Sequence, residues 1–254
     1  MPYSGLDGNL YVVNPGARLT SPRFRAYISG MEAKIGPLIK ILSRLAFIAL
    51  IFVAAGTLNW PRLWFFLGFY AVTTSALMLW LKKRDPGLLK ERMNVRKDVK
   101  GWDKTIIRIY TVLLMVMYIL LPLDAVRFGW SRVPAALSWL AFSGIFLSWV
   151  VVIWAFRENA YLSAFVRLQT DRGHKVCTTG PYRFVRHPMY LAVVLSILCV
   201  PFFLGSLFSL IPAVLIVGLF VLRTSLEDRM LRAELPGYSD YAVKTRWKLV
   251  PKVW

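Results

Sequence analysis

The chain has 254 residues, 57% of them hydrophobic, and a formal net charge of +19 from 32 Lys and Arg against 13 Asp and Glu. Apolar runs separated by basic loops exclude a soluble globule and mark an integral membrane protein. The charge does not read as nucleic-acid binding, because no basic stripe alternates with exposed aromatics outside the apolar runs.

Residues 1–37 are polar and mixed, with no charged-then-apolar signal pattern, and read as a cytosolic arm. A spanning helix takes ~20 apolar residues, and six candidates follow in order: Leu38–Leu58, Leu63–Leu81, Thr105–Leu123, Pro134–Phe156, Met189–Leu204 and Ser206–Leu222. The expected fold class is therefore all-α, a polytopic transmembrane bundle of about six helices. The first two helices turn at Asn59-Trp-Pro-Arg62. The charged segment Lys82–Lys104 contains Pro86-Gly87 and an interfacial helix with Leu88, Leu89 and Met93. The last two spans are short and carry Pro201 and Pro212, so they read as a tight hairpin. A helix continues from the final span into a cytosolic tail and stops at Leu235, ahead of Pro236 and Gly237.

With six spans, one side carries 29 of the 32 basic residues, and only Arg62, Arg127 and Arg132 fall on the other. The positive-inside rule then puts both termini and the two long polar loops in the cytoplasm. The same basic surface is expected to attract anionic lipid headgroups. Residues 38–156 read as a four-helix scaffold and residues 157–254 as a catalytic region, where His, Tyr, Asn and Gln gather just outside the apolar runs. Cys177 and Cys199 make no disulfide framework. His174 and Cys177 lack the further soft ligands of a structural zinc site, so no metal is expected.

Three constellations carry candidate chemistry. The insert Gly180–Tyr190 holds Tyr182, Arg183, Arg186, His187 and Tyr190 between Pro181 and Pro188. Pro188 suits a helix's first turn, so His187 falls at the N-cap, where backbone N–H groups and the dipole favour anions. On its own the insert is also consistent with simple headgroup binding. Second, Arg223-x-x-x-Glu227-Asp228 emerges from the last span. Arg and Glu at i,i+4 pair on many helix surfaces, but two carboxylates beside the apolar layer want a partner such as a ligand's ammonium. Third, Tyr238-x-x-Tyr241 precedes Lys244, Arg246 and Lys248, a pattern an interfacial anchor would share.

Together these elements resemble the membrane methyltransferases of the isoprenylcysteine carboxyl methyltransferase type, of which phospholipid N-methyltransferases are more distant members. The resemblance covers about Asn159 to Trp254 and rests on Thr179-Gly-Pro-Tyr182, Arg186-His-Pro-x-Tyr190, Arg223-x-x-x-Glu227-Asp228 and Gly237-Tyr-x-x-Tyr241. It implies S-adenosylmethionine as the methyl donor, held on the cytosolic side by His174, Gly180, Tyr182, Arg186, His187, Tyr190, Glu227 and Asp228. It implies a lipid or prenylated acceptor met by Arg223, Tyr238, Tyr241 and Arg246, with Arg246 and His187 nearest the chemistry. The chain departs from the pattern in two places: Asp228 stands where the family often has a second glutamate, and Lys244 competes with Arg246 as the acceptor's arginine.

Methyl transfer from a sulfonium is an in-line displacement that needs alignment, worth ~7–11 kcal/mol of barrier. A carboxylate acceptor is already ionised at pH 7 and needs an Arg, not a base; an amine acceptor would need His187 or Glu227. Two other readings stand beside this one. Sterol-type reductases using NADPH resemble the chain through a similar Arg-His-Pro segment and Tyr-rich C-terminus, although Met189 precedes Tyr190 where they carry Asn. A non-catalytic lipid-binding protein would use the same tail as an anchor.

Overall fold

A computed structural model describes residues 22–93 and 99–254, with side chains at 38, 39 and from 41 onward. Eight α-helices and no strand occur among the described residues. They are α1 (Pro22–Ala55), α2 (Pro61–Arg84), α3 (Pro86–Met93), α4 (Gly101–Pro122), α5 (Ala135–Glu158), α6 (Pro188–Leu204), α7 (Leu210–Glu234) and α8 (Tyr238–Lys244). A π-helical turn, Leu123–Arg127, extends α4. The described residues up to Leu50 and those from Ile51 onward form separate units, and the candidate site lies in the second.

Four helices (α2, α4 with its π turn, α5 and α7) are long and apolar enough to cross a membrane; Ile41–Ala55 and α6 are shorter apolar helices. The expected all-helical membrane bundle is what the structure shows. At 1.5 Å per residue the 24 residues of α2 and of α5 span roughly 36 Å, more than a hydrocarbon core of ~30 Å. The 17 residues of α6 reach only roughly 26 Å. The hairpin is therefore uneven: α6 is short as expected, but α7 runs unbroken for 25 residues from its apolar start into the polar tail. Pro212 is harmless there because it lies in the first turn, where no intrahelical N–H is lost.

Sequence punctuation sets the helix ends. Pro61 and Pro188 open α2 and α6, Lys82, Lys83 and Arg84 complement the C-terminal dipole of α2, and Gly205 closes α6 at φ 94° with its N–H on Pro201 O. Packing then orders the bundle: α5 lies along α6, α4 along α7, and α6 against α7. Gly144 lets α5 and α6 approach closely, since a Cβ there would sit 2.6 Å from Cys199 Sγ. An aromatic seam of Phe65, Phe69, Trp139, Phe142 and Phe203 joins α2, α5 and α6. Wide apolar surfaces such as Val72, Val112, Leu140 and Ile211 stay exposed, as lipid-facing side chains do.

At the α6–α7 turn, Asp124 is fully buried. Its Oδ2 accepts hydrogen bonds from Ser131 Oγ at 2.7 Å, Ser206 Oγ at 2.6 Å and Phe208 N at 3.1 Å. These bonds tie the turn to the end of α4. Its Oδ1 is buried with no hydrogen-bond partner among the described residues.

Candidate active site

The insert Gly180–Tyr190 is not a loose surface patch. A short 3-10 turn, Gly180–Arg183, starts at a glycine of φ +58°, where an added Cβ would strike the Glu158 side chain. The backbone then docks on the tail: Arg186 N donates to Trp247 O and His187 N to Lys248 O, both at 2.9 Å. Arg186 is buried, and its Nε and Nη2 reach Asp228 Oδ1 and Oδ2 at 2.7 and 3.1 Å, a bidentate pair. Its Nη1 donates to Thr245 O and Arg246 O, each at 2.8 Å.

This arrangement divides the two neighbouring carboxylates. Asp228 faces inward and is consumed by the protein, taking Arg186, Arg232 at 3.2 Å and the Tyr238 hydroxyl at 3.0 Å. Glu227 faces a cavity. Its Oε2 accepts a short hydrogen bond from Tyr190 and lies 3.9 Å from His187 Nδ1. The His187 ring stacks on Tyr190 with an interplanar angle of 4°, and its Nε2 is 3.4 Å from the Tyr238 hydroxyl.

The cavity encloses about 280 Å³. Its polar half is walled by His174, Tyr182, His187, Glu227, Tyr238 and Tyr241. Arg186 and Arg223 also border it, and α4, α6 and α7 extend it with Ile107, Tyr110, Val193 and Phe220. Burial raises the phenol pKa values of Tyr182, Tyr238 and Tyr241, so they are neutral donors. Burial, with the charges of Arg167 and Arg172, pushes His174 down to about 4. Its Nδ1 accepts from Gln169 N at 3.4 Å, as a neutral imidazole can. Burial also raises the Cys177 thiol, which makes it a poor nucleophile.

Three candidates fall outside that wall. Gly180 shapes the turn, Asp228 lies behind Arg186, and Arg246 is exposed, contributing its carbonyl and not its guanidinium. Arg223 borders the cavity but does not pair along its own helix with Glu227. It crosses to α4, where Nε and Nη2 meet Asp103 at 2.7 and 3.2 Å.

Asp103 is one of several site-building residues that the motifs do not announce. It also accepts from Val166 N at 2.7 Å, strapping the 159–187 loop to α4. Glu91 of α3, buried, accepts from Arg167 Nε at 2.7 Å. The available signal was scarcity: few carboxylates stand in the basic stretch 82–108, and both of these are buried.

Residues 136–235, from α5 to the end of α7, match the family model described as phospholipid methyltransferase. The similarity to that family spans 100 of the 254 residues. The match takes in the insert, the α6–α7 hairpin and Glu227-Asp228, the core of the resemblance read from the motifs. Family and apolar helices together describe an integral membrane methyltransferase. No curated protein matches the chain.

Proposed function

We propose that the protein uses S-adenosylmethionine to methylate a lipid-like or prenylated acceptor, most favourably a carboxylate, from the cytosolic face of its membrane. The observation that carries this is the continuity of one cavity. Its polar half holds Glu227, His187 and Tyr238, and its apolar half runs between helices. When bound, the sulfonium donor supplies an electrophilic methyl group.

The residues fit such a donor. Glu227 keeps Oε1 free of any described partner and would take an ammonium, while the Tyr190 hydroxyl fixes its other oxygen. The Tyr161 and His174 rings, 4.7 Å apart, and Tyr182 offer flat walls for an adenine. Arg186 and Asp228 act behind them by holding the insert against the tail. His187, stacked and hydrogen-bonded, is positioned to accept a proton where the acceptor is an amine. A carboxylate acceptor requires no such step. The basic-residue asymmetry supports a cytoplasmic position for both termini, and anionic headgroups are the expected lipid neighbours.

Calorimetry on the purified chain tests the donor. S-adenosylhomocysteine should bind and NADPH should not; the opposite result would replace this reading with a reductase, and binding of neither would favour a lipid-binding role. A labelled-methyl assay with prenylcysteine analogues and a total lipid extract then tests the acceptor class.

A further inference from the structure

One wall of the cavity carries a charge that the methyl-transfer reading leaves without a task. Arg92, near the end of α3, is half-buried and borders the cavity. Its guanidinium lies 4.8 Å above the Phe156 ring and donates one hydrogen bond, from Nη1 to Leu162 O at 3.2 Å. Among the described residues no carboxylate pairs with it. The three fully buried arginines around it are each matched: Arg167 with Glu91, Arg186 with Asp228, Arg223 with Asp103. Burial and the nearby Arg223 charge both push the Arg92 pKa down. A guanidinium nevertheless stays protonated, so two cations share this wall and one lacks a counter-ion. Such a charge is costly away from water unless an anion meets it.

Arg92 cannot simply turn out to solvent by moving its helix. Its neighbour Glu91 is buried against Arg167, and Leu88 packs with Leu81 and Phe156. Asp85 Oδ1 accepts from Leu88 N at 2.8 Å and secures the start of α3. The same cavity is lined by apolar and aromatic groups, Ile107 and Tyr110 from α4, Val193 from α6 and Phe220 from α7. Fixed positive charge beside a hydrocarbon-lined gap is complementary to one chemistry, an anionic head on an apolar chain.

We propose that Arg92 holds the anionic oxygens, carboxylate or phosphate, of an amphiphile whose chain lies between α4, α6 and α7. The proposal rests on the methyltransferase reading in taking that amphiphile as the methyl acceptor, but the binding itself is separable from it. The assignment moves the acceptor's arginine from the exposed Arg246 in the tail to α3, outside the residues that match the family.

The test is binding to the full chain in detergent, with three probes: N-acetyl-S-farnesylcysteine, its methyl ester, and lysophosphatidic acid. R92M should weaken an anionic probe on the order of ten- to a hundredfold, the range for losing hydrogen bonds to a charged group. R92K should recover part of that loss, and the neutral ester should bind both forms alike. Loss confined to the farnesylcysteine identifies a carboxylate head; loss confined to the lysophosphatidic acid identifies a phosphate. S-adenosylhomocysteine affinity, measured on the same samples, should stay within about twofold, since Arg92 is not among the groups assigned to the donor. Unchanged anionic binding in R92M, equal loss of the neutral ester, or failure of both anionic probes on the unaltered chain would each overturn the proposal. Should R92M not fold, R92K alone decides, because an amine keeps the charge but loses the planar fork. Failure of S-adenosylhomocysteine to bind the unaltered chain would instead strike the methyltransferase reading and leave the Arg92 result standing.

Discussion

The two ends of the bundle solve the same problem, buried acidic groups beside an apolar layer, in opposite ways. At the cavity end, Glu91, Asp103 and Asp228 are each matched to a buried arginine from another element. At the other end, Asp124 is held by hydroxyls and a backbone N–H from Ser131, Ser206 and Phe208. Hydroxyls are short and close a turn tightly. Arginines are long, and their stems bridge elements that stay apart, leaving room between them. The ionic end therefore encloses a cavity, and the hydroxyl end does not need one.

The comparison breaks most visibly at Asp103. Asp103→Ala leaves the Arg223 charge buried and unpaired, and should cost about 3–5 kcal/mol of unfolding free energy. Denaturant unfolding in mixed micelles measures it, and Arg223→Leu in the same chain should restore part of the loss. A single-substitution cost below about 1 kcal/mol would show that water reaches the pair. Asp124→Ala removes the acceptor of the Ser131 hydroxyl and the Phe208 N–H, while Ser206 keeps Ser209 as a partner, so about 1–3 kcal/mol should go. Binding of S-adenosylhomocysteine should be untouched, because the cavity is at the far end.

Glu227→Gln sharpens the contrast from the other side. Its carboxylate serves the cavity more than the fold, so affinity for S-adenosylhomocysteine should fall about tenfold, ~1.4 kcal/mol, with the unfolding midpoint nearly unchanged. The smallest effect is a pH dependence. Unfolded His174 takes up a proton near pH 6.5, whereas the folded residue resists until about 4. The native state should lose stability as pH falls through that window and be insensitive to this group above it. His174→Gln should flatten the stability profile between those limits; an unaltered slope would assign it to other groups.

What the sequence made legible follows physical obligation. Lipid demands continuous apolar helices, and the four long ones contain the predicted runs, within a few residues at their ends. Pro236-Gly237 ended α7 at the expected place. The insert and Glu227 were readable together because an intervening helix hairpin returns the chain to the same face. Partners from distant segments were not. Asp103 meets Arg223 across 120 positions, and Arg92 lies in a charged stretch that periodicity cannot distinguish from a solvated loop. Residues before 157 therefore looked like scaffold, although Arg92, Ile107 and Tyr110 border the cavity. Arg246 has a role that its residue type did not announce: its carbonyl accepts from Arg186.

The docking of the insert onto the tail has a consequence for biosynthesis. Arg186 emerges from the ribosome some sixty residues before Thr245 and Arg246, whose carbonyls it needs. During that interval two further helices must enter the bilayer. Until 245–248 arrive, the guanidinium lacks two of its acceptors and the Arg186 and His187 N–H groups lack the tail carbonyls that they meet. A nascent chain is thus threaded through the membrane before it can assemble the cavity, so premature arrest would leave an inserted but inactive protein.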